Sequence, residues 1–217
     1  AVAAARAAYI AGFAGSSNLA AAHRFGVPAL GTSAHAFTMV HTTTDGGTDQ
    51  WEQAAFRAQV AALGITTTLL VDTYDVRSGV ANAIAAAGTA LGAVRIDSGD
   101  LGVLARQVRR QLDDLGATAT KIVVSGDLDE FAIAALRADP VDSFGVGTSV
   151  VTGSGAPTAG MVYKLVEVDR VAVEKRSPDK VSHGGRKAAT RLARPSGTVT
   201  EEVVHPFGEA HFDEPSR

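Results

Sequence analysis

Chemically capable side chains gather in four short clusters along this 217-residue chain. Asp72, Tyr74 and Asp75 form the first; Arg95, Asp97, Ser98 and Asp100 the second; Ser125, Asp127 and Asp129 the third; Gly145, Gly147, Thr148, Thr152 and Gly153 the fourth. Each follows a short, continuous apolar run, and the runs recur about every 20–30 residues, the length of a βα unit. In α/β barrels and open parallel sheets the carboxyl ends of the strands carry the active site. Asp and Ser also cap helices, which accounts for any one cluster. Four in succession, one with Arg95 beside Asp97, point to chemistry.

The glycine-rich stretch FGVGTSVVTGSG supplies backbone N–H groups without Cβ obstruction, together with Thr hydroxyls. That suits a phosphate, above all where a helix begins. It is neither a Walker A loop, since no Lys-Ser/Thr follows, nor G-x-G-x-x-G. His35 stands in GTSAH, behind a short strand and at the head of a helix. Gly31 and Thr32 allow a tight approach there, and the helix start leaves N–H donors for an anion. His23 and His41 lack such a setting and read as packing or surface residues.

Other chemistries are excluded. The chain has no cysteine, hence no disulfide, thiolate nucleophile or Cys-held zinc. No His pair has metal-ligand spacing, so no direct metal ligand is expected. A Schiff-base lyase wants a lysine at the active edge. The first one, Lys121, starts its strand instead of ending it, and none of the strand ends carries one. Seven basic residues lie between Lys175 and Arg194 against one Asp; they read either as a solvated hairpin face or as a patch for phosphate or a subunit. A net charge of −3 argues against nucleic acid as partner. ANAIAAAGTALGAV, the most apolar helical stretch, is shorter than the roughly 20 residues a bilayer needs, so no membrane span is expected. The amino terminus lacks a basic segment and a cleavage site, and residue 1 reads as a point inside a longer chain.

The elements that must position these groups follow from periodicity. AVAAARAAYIAGF is Ala-rich and helical. NLAAAHRF is a second helix, capped by Ser16 or Ser17 and stopped at Gly26. VPALGT reads as a strand and HAFTMVH as a helix, with a loop from Thr42 to Gln50. From Trp51 to Thr148 helices alternate with strands ending at Asp72, Asp97, Ser125 and the Gly-rich turns. The helix LGVLARQVRRQLDDLG carries Leu101, Leu104, Val108, Leu112 and Leu115 at spacings of three and four. After about residue 155 the pattern changes to strands: MVYKLVEV with RVAVEK, and RKAATRLA with TVTEEVV around Pro195-Ser196-Gly197. The expectation is an α/β unit over 1–155 and a β-rich tail over 156–217.

In family order the stretches GFAGSSNLAAAHRFGVPALGTSAHAF, LLVDTYDV, VRIDSGDL, KIVVSGDLDE, DSFGVGTSVVTGSGAP, VYKLVEV and GRKAATRL resemble the nicotinate phosphoribosyltransferases. The resemblance covers the chain to about residue 205, and RIDSGDL, FGVGT and GTxxHxF are specific in combination. It implies a type II phosphoribosyltransferase fold: an incomplete, irregular, TIM-barrel-like α/β barrel, with the antiparallel β tail from a smaller domain. It implies the conversion of nicotinate and phosphoribosyl pyrophosphate to nicotinate mononucleotide and pyrophosphate, the entry to NAD salvage from nicotinic acid. ATP is the co-substrate, split to ADP and phosphate through a transient phosphohistidine, with Mg²⁺ as cofactor. A cytoplasmic homodimer is implied as well.

Residue by residue, the resemblance makes His35 the phosphorylated histidine, Thr32 a nicotinate contact, and Arg95 the residue facing the nicotinate carboxylate, to which a bidentate guanidinium is suited. Asp97 and Asp127 are placed for ribose hydroxyls or Mg²⁺-bound waters. Ser125, Gly145, Gly147 and Thr148 belong to the phosphoribosyl site, the glycines and Thr148 cradling the 5′-phosphate. Bond breaking at the anomeric carbon is cation-like, so nearby carboxylates help. The family's early barrel elements, an EFGxRR-type segment and the aromatic residues that sandwich the pyridine ring would lie upstream of Ala1. The chain alone is therefore expected to be weakly active or inactive. Two alternatives stand beside this reading: a non-catalytic fragment that binds a partner, and a nicotinamide- or quinolinate-type transferase. Quinolinate needs a further basic cluster, which the strand ends do not supply.

Overall fold

Short runs of β-branched and leucine residues between amphipathic helices build the fold. The computed structural model describes residues 1–153, 156–176 and 182–208. Three short helices come first: α1 (Val2–Ile10), α2 (Leu19–Phe25) and α3 (His35–Met39). Then α4 (Thr48–Leu63), β1 (Thr68–Leu70), α5 (Val76–Ala87), β2 (Ala93–Ile96), α6 (Leu101–Asp114), β3 (Lys121–Ser125), α7 (Glu130–Ala135) and β4 (Ser143–Gly145) alternate. A five-residue helix, α8 (Thr148–Thr152), closes this part. The strands form one parallel sheet in the order β1-β2-β3-β4. It is an open sheet among the described residues, so the expected α/β class is met while a closed barrel is not observed.

Alternate residues of each strand point to opposite faces. Leu69, Val71, Val94, Ile96, Ile122 and Val124 enter the core, where Phe56, Val80, Ala83, Val108 and Leu112 of the helices cover them. The register sets Arg95 beside Leu70 on one side and Val123 on the other. Ser125, two residues beyond Val123, therefore shares the face of Arg95. Gly79 allows α5 to press on the exit of β1, since a Cβ there would lie 2.1 Å from the Val71 carbonyl oxygen.

The tail has two hairpins: β5 (Glu167–Val168) with β6 (Val171–Ala172), and β7 (Lys187–Ala193) with β8 (Val199–Pro206). The second turns at Gly197, whose φ of 83° suits glycine. No helix among the described residues is long and apolar enough to cross a membrane.

Four expectations shift. VPALGT makes only an isolated parallel pairing, Ala29 with Ser16. That pairing occupies Ser16, whose Oγ accepts from the Asn18 N–H at 3.1 Å, and Asn18 caps α2 instead. MVYKLVEV supplies a strand only at Glu167–Val168, and Met161, Val162 and Tyr163 are exposed. On α6 the buried stripe is Gly102, Ala105, Val108 and Leu112, while Leu115 lies past the helix end and is exposed. Ser154 and Gly155 of the Gly-rich stretch, and Lys180 of the basic run, lie outside the described residues.

Candidate active site

The polar residues after each strand divide into two jobs. The acid directly before each helix is a cap. Asp75 accepts from the Ser78 N–H at 2.8 Å, Asp100 from Val103 at 3.0 Å and Asp129 from Ala132 at 2.8 Å. Each cap satisfies one of the helix's otherwise unpaired first-turn donors. The residues at the strand ends themselves face a common centre.

Arg95 spans that centre. Its Nε donates to Ser125 Oγ at 2.7 Å, and its two terminal nitrogens donate to Thr32 Oγ1 and Asp97 Oδ1, each at 2.6 Å. Ser125 also donates to Asp97 Oδ1 at 2.5 Å. Burial pushes the Asp97 carboxyl up, but the Ser125 hydroxyl and the Arg95 charge and hydrogen bond help outweigh burial and hold it well below the usual carboxylate range. Asp97 is thus an anion, and its second oxygen, Oδ2, lies 3.6 Å from His35 Nε2.

His35 opens α3, between the ends of β1 and β2. Its Nδ1 meets Thr73 Oγ1 at 3.1 Å. Its Nε2 meets Lys175 Nζ at 2.8 Å, with Asp72 Oδ1 at 3.9 Å. Asp72 is fully buried; Oδ2 accepts from Ser98 Oγ, and Oδ1 has no hydrogen bond. His41, by contrast, bonds its own helix at the Phe37 carbonyl, 2.8 Å away, and packs edge-on against Phe37, as a packing residue does.

Thr32, His35, Arg95, Asp97 and Ser125 therefore converge in one network. Gly145 borders it, since a Cβ there would lie 3.1 Å from Ser125 Cβ. Gly147 caps α8 and Thr148 begins it, so a helix does start in the Gly-rich stretch. Asp127 is exposed after β3 and takes a left-handed φ of 50°. No contact ties Asp127, Gly147 or Thr148 to the Arg95 network among those described.

Lys175 corrects the sequence reading twice. The active edge does hold a lysine, delivered by the segment that follows β6 and not by a strand of the parallel sheet. Lys175 is also buried, 4% exposed, so it is not on a solvated hairpin face. The signal was the alternation in RVAVEK: Val171, Val173 and Lys175 share one side of an extended segment, and Val173 is buried too. Asp72, Thr73 and Ser98 were not singled out as site residues either. Asp72 and Ser98 lie in the strand-end clusters, where carboxylates and hydroxyls that cap and those that converge look alike.

The comparisons with known proteins agree with one another. The sequence profile of the nicotinate phosphoribosyltransferase (NAPRTase) family matches residues 2–192. The chain is 74% identical over 208 residues to nicotinate phosphoribosyltransferase pncB1 of Mycobacterium tuberculosis (strain ATCC 25618 / H37Rv), over 96% of this chain and 46% of that protein. It is 38% identical over 212 residues to the nicotinate phosphoribosyltransferase of Bacillus subtilis (strain 168), over 91% of this chain and 41% of that protein. The crystal structure of nicotinate phosphoribosyltransferase from Vibrio cholerae matches 78% of this chain and 44% of its own, with TM-score 0.67 and 25% identity. The chain spans less than half the length of these relatives.

Proposed function

This chain belongs to the nicotinate phosphoribosyltransferase family, and from that premise we propose that it takes part in making nicotinate mononucleotide from nicotinate and phosphoribosyl pyrophosphate. The pyridine nitrogen bonds to the anomeric carbon, and the bond from that carbon to pyrophosphate breaks, its electron pair leaving with the pyrophosphate. ATP is split in the same cycle, with His35 as transient phosphoryl acceptor, which would put the enzyme in the ligase class. The observation that carries this reading is one network, in which Asp97 contacts the Arg95 guanidinium at 2.6 Å and the His35 imidazole at 3.6 Å. A group able to grip a carboxylate and a group able to accept a phosphoryl thus share one anion.

In this reading Arg95 and Thr32 exchange their mutual bond for the nicotinate carboxylate. Asp97 stabilises positive charge developing at the anomeric carbon. Gly145, Gly147 and Thr148 hold the 5′-phosphate, Ser125 keeps Arg95 and Asp97 in register, and Asp127 serves the ribose hydroxyls. Mg²⁺, when bound, neutralises the leaving pyrophosphate. Asp97 and Asp127 would hold it through its waters; the exposure of Asp127 suits a hydrated hard cation.

The open sheet is read as one arc of an irregular barrel. Residues 156–217 are read as part of a second domain, which the change to antiparallel hairpins supports. The family resemblance supports a cytoplasmic homodimer in NAD salvage. Lys175, against His35 and Asp72, adds a basic group of the kind a dicarboxylate substrate would need; the family and the names of the relatives favour nicotinate.

The test is product analysis with nicotinate, nicotinamide and quinolinate offered separately, with and without ATP. Of the three bases nicotinate alone should yield a mononucleotide, at the low rate expected of a chain that spans less than half the length of its relatives but faster with ATP, and Arg95→Met should raise its KM at least tenfold. Product from either other base, with none from nicotinate, would overturn the assignment.

A further inference from the structure

A buried lysine needs partners for its charge. Lys175 has the fully buried Asp72 at 3.6 Å, Ser98 Oγ at 3.5 Å and His35 Nε2 at 2.8 Å. The next residue fastens the segment to the sheet edge, where the Arg176 N–H donates to the Thr73 carbonyl at 3.2 Å. Lys175 is thus set against the ring nitrogen at the centre of the site.

We propose that Lys175 is a catalytic residue of the phosphoryl half-reaction: its ammonium fixes the tautomer of His35 with the lone pair on Nε2, and then becomes the counter-charge of the phosphoryl group that Nε2 accepts. The inference rests on the reading of His35 as phosphoryl acceptor.

The first half follows from donor counting. An ammonium has three donors and no acceptor, so the imidazole nitrogen facing it must accept. Nε2 therefore carries the lone pair, and Nδ1 carries the proton and donates it to Thr73 Oγ1 at 3.1 Å. Nε2 is thereby the nucleophile. Its lone pair forms the N–P bond to the γ-phosphorus of ATP, the bridging P–O bond breaks, and that electron pair leaves with ADP. The Nδ1 proton stays in its bond to Thr73.

The second half follows from the surrounding charge. Asp97 Oδ2 and Asp72 Oδ1 lie 3.6 and 3.9 Å from Nε2. A doubly charged phosphoryl placed there would face two carboxylates, and in a water-poor site like charges at such distances repel strongly. Arg95 is committed to Asp97, Ser125 and Thr32. Lys175 is the cation already at Nε2, and a small swing of its flexible stem moves the ammonium from nitrogen to phosphoryl oxygen.

The test compares the wild-type chain with Lys175→Met, Lys175→Arg and His35→Ala, all checked for fold by circular dichroism. Acid-labile label from [γ-³²P]ATP with Mg²⁺ is followed, and imidazole ¹⁵N resonances are recorded without nucleotide. The wild type should show Nε2 unprotonated and Nδ1 protonated. Lys175→Met should mix the tautomers and lower the label at least tenfold, while Lys175→Arg keeps the label within about threefold. Wild-type labelling or an unchanged ring in Lys175→Met would overturn the proposal, as would a protonated Nε2 in the wild type, a result that needs no variant to fold. Equal labelling of His35→Ala and wild type would instead remove the phosphohistidine reading, with the ring resonances still deciding what Lys175 does.

Discussion

Glu52 offers a prediction whose magnitude can be worked through. It lies on α4, 1% exposed, with Oε2 accepting from Asn82 Nδ2 at 2.9 Å and Oε1 without a hydrogen bond. Burial is the main influence on its carboxyl. The Asn82 bond opposes it, the charges of Asp49, Asp75 and Asp72 add to it, and the pKa rises from 4.5 to about 8. Folded Glu52 is therefore neutral at pH 7, while in the unfolded chain it ionises near pH 4.5. Between those values unfolding releases a proton, so stability falls as pH rises, by about 1.4 kcal/mol per unit. From the unfolded value to pH 7 the loss is on the order of 3 kcal/mol. Glu52→Gln keeps the shape and the Asn82 contact but has nothing to ionise. Urea unfolding of both proteins at pH 5, 6, 7 and 8 should give curves that diverge, with the variant the more stable at high pH. Parallel pH dependences would refute the reasoning. The neutral carboxyl also spares the His35 site a further negative charge beside Asp72.

Leu112→Ala opens a cavity where α6 meets the sheet and should cost about 2–5 kcal/mol in urea unfolding, since Leu112 is fully buried in the main core. Asp97→Asn should cut turnover at least tenfold with the fold intact by circular dichroism. Because the Asp97 carboxyl titrates below its ordinary range, its contribution to stability is present above about pH 4 and lost as pH falls further. An acid-unfolding profile should therefore be shallower in the variant than in the wild type.

Much of the sheet was legible because its strands are continuous apolar runs between periodic helices, a pattern that local sequence writes plainly. β2 and β3 and helices α5 and α6 lie where periodicity puts them. Arg95, Asp97 and Ser125 were legible as candidates because parallel strands end together at one edge. Two things were not. Asp72 and Asp75 belong to the same DTYD stretch, yet one turns into the centre and the other caps α5; only the backbone direction at the end of β1 separates them. Lys175 lies 140 residues from His35, and nothing in a basic, turn-rich segment says that a tail hairpin folds back onto the sheet. MVYKL failed for the opposite reason: its alternation is strand-like, but no partner strand pairs with it among the described residues.

The central claim is that His35 accepts a phosphoryl group from ATP. The most direct measurement is rapid mixing of the protein with [γ-³²P]ATP and Mg²⁺, followed by peptide mapping at alkaline pH. The account predicts an acid-labile, base-stable label confined to the peptide that contains His35 and absent from His35→Ala. A folded protein that carries no label there, or a His35→Ala variant labelled as fully as the wild type, would contradict it.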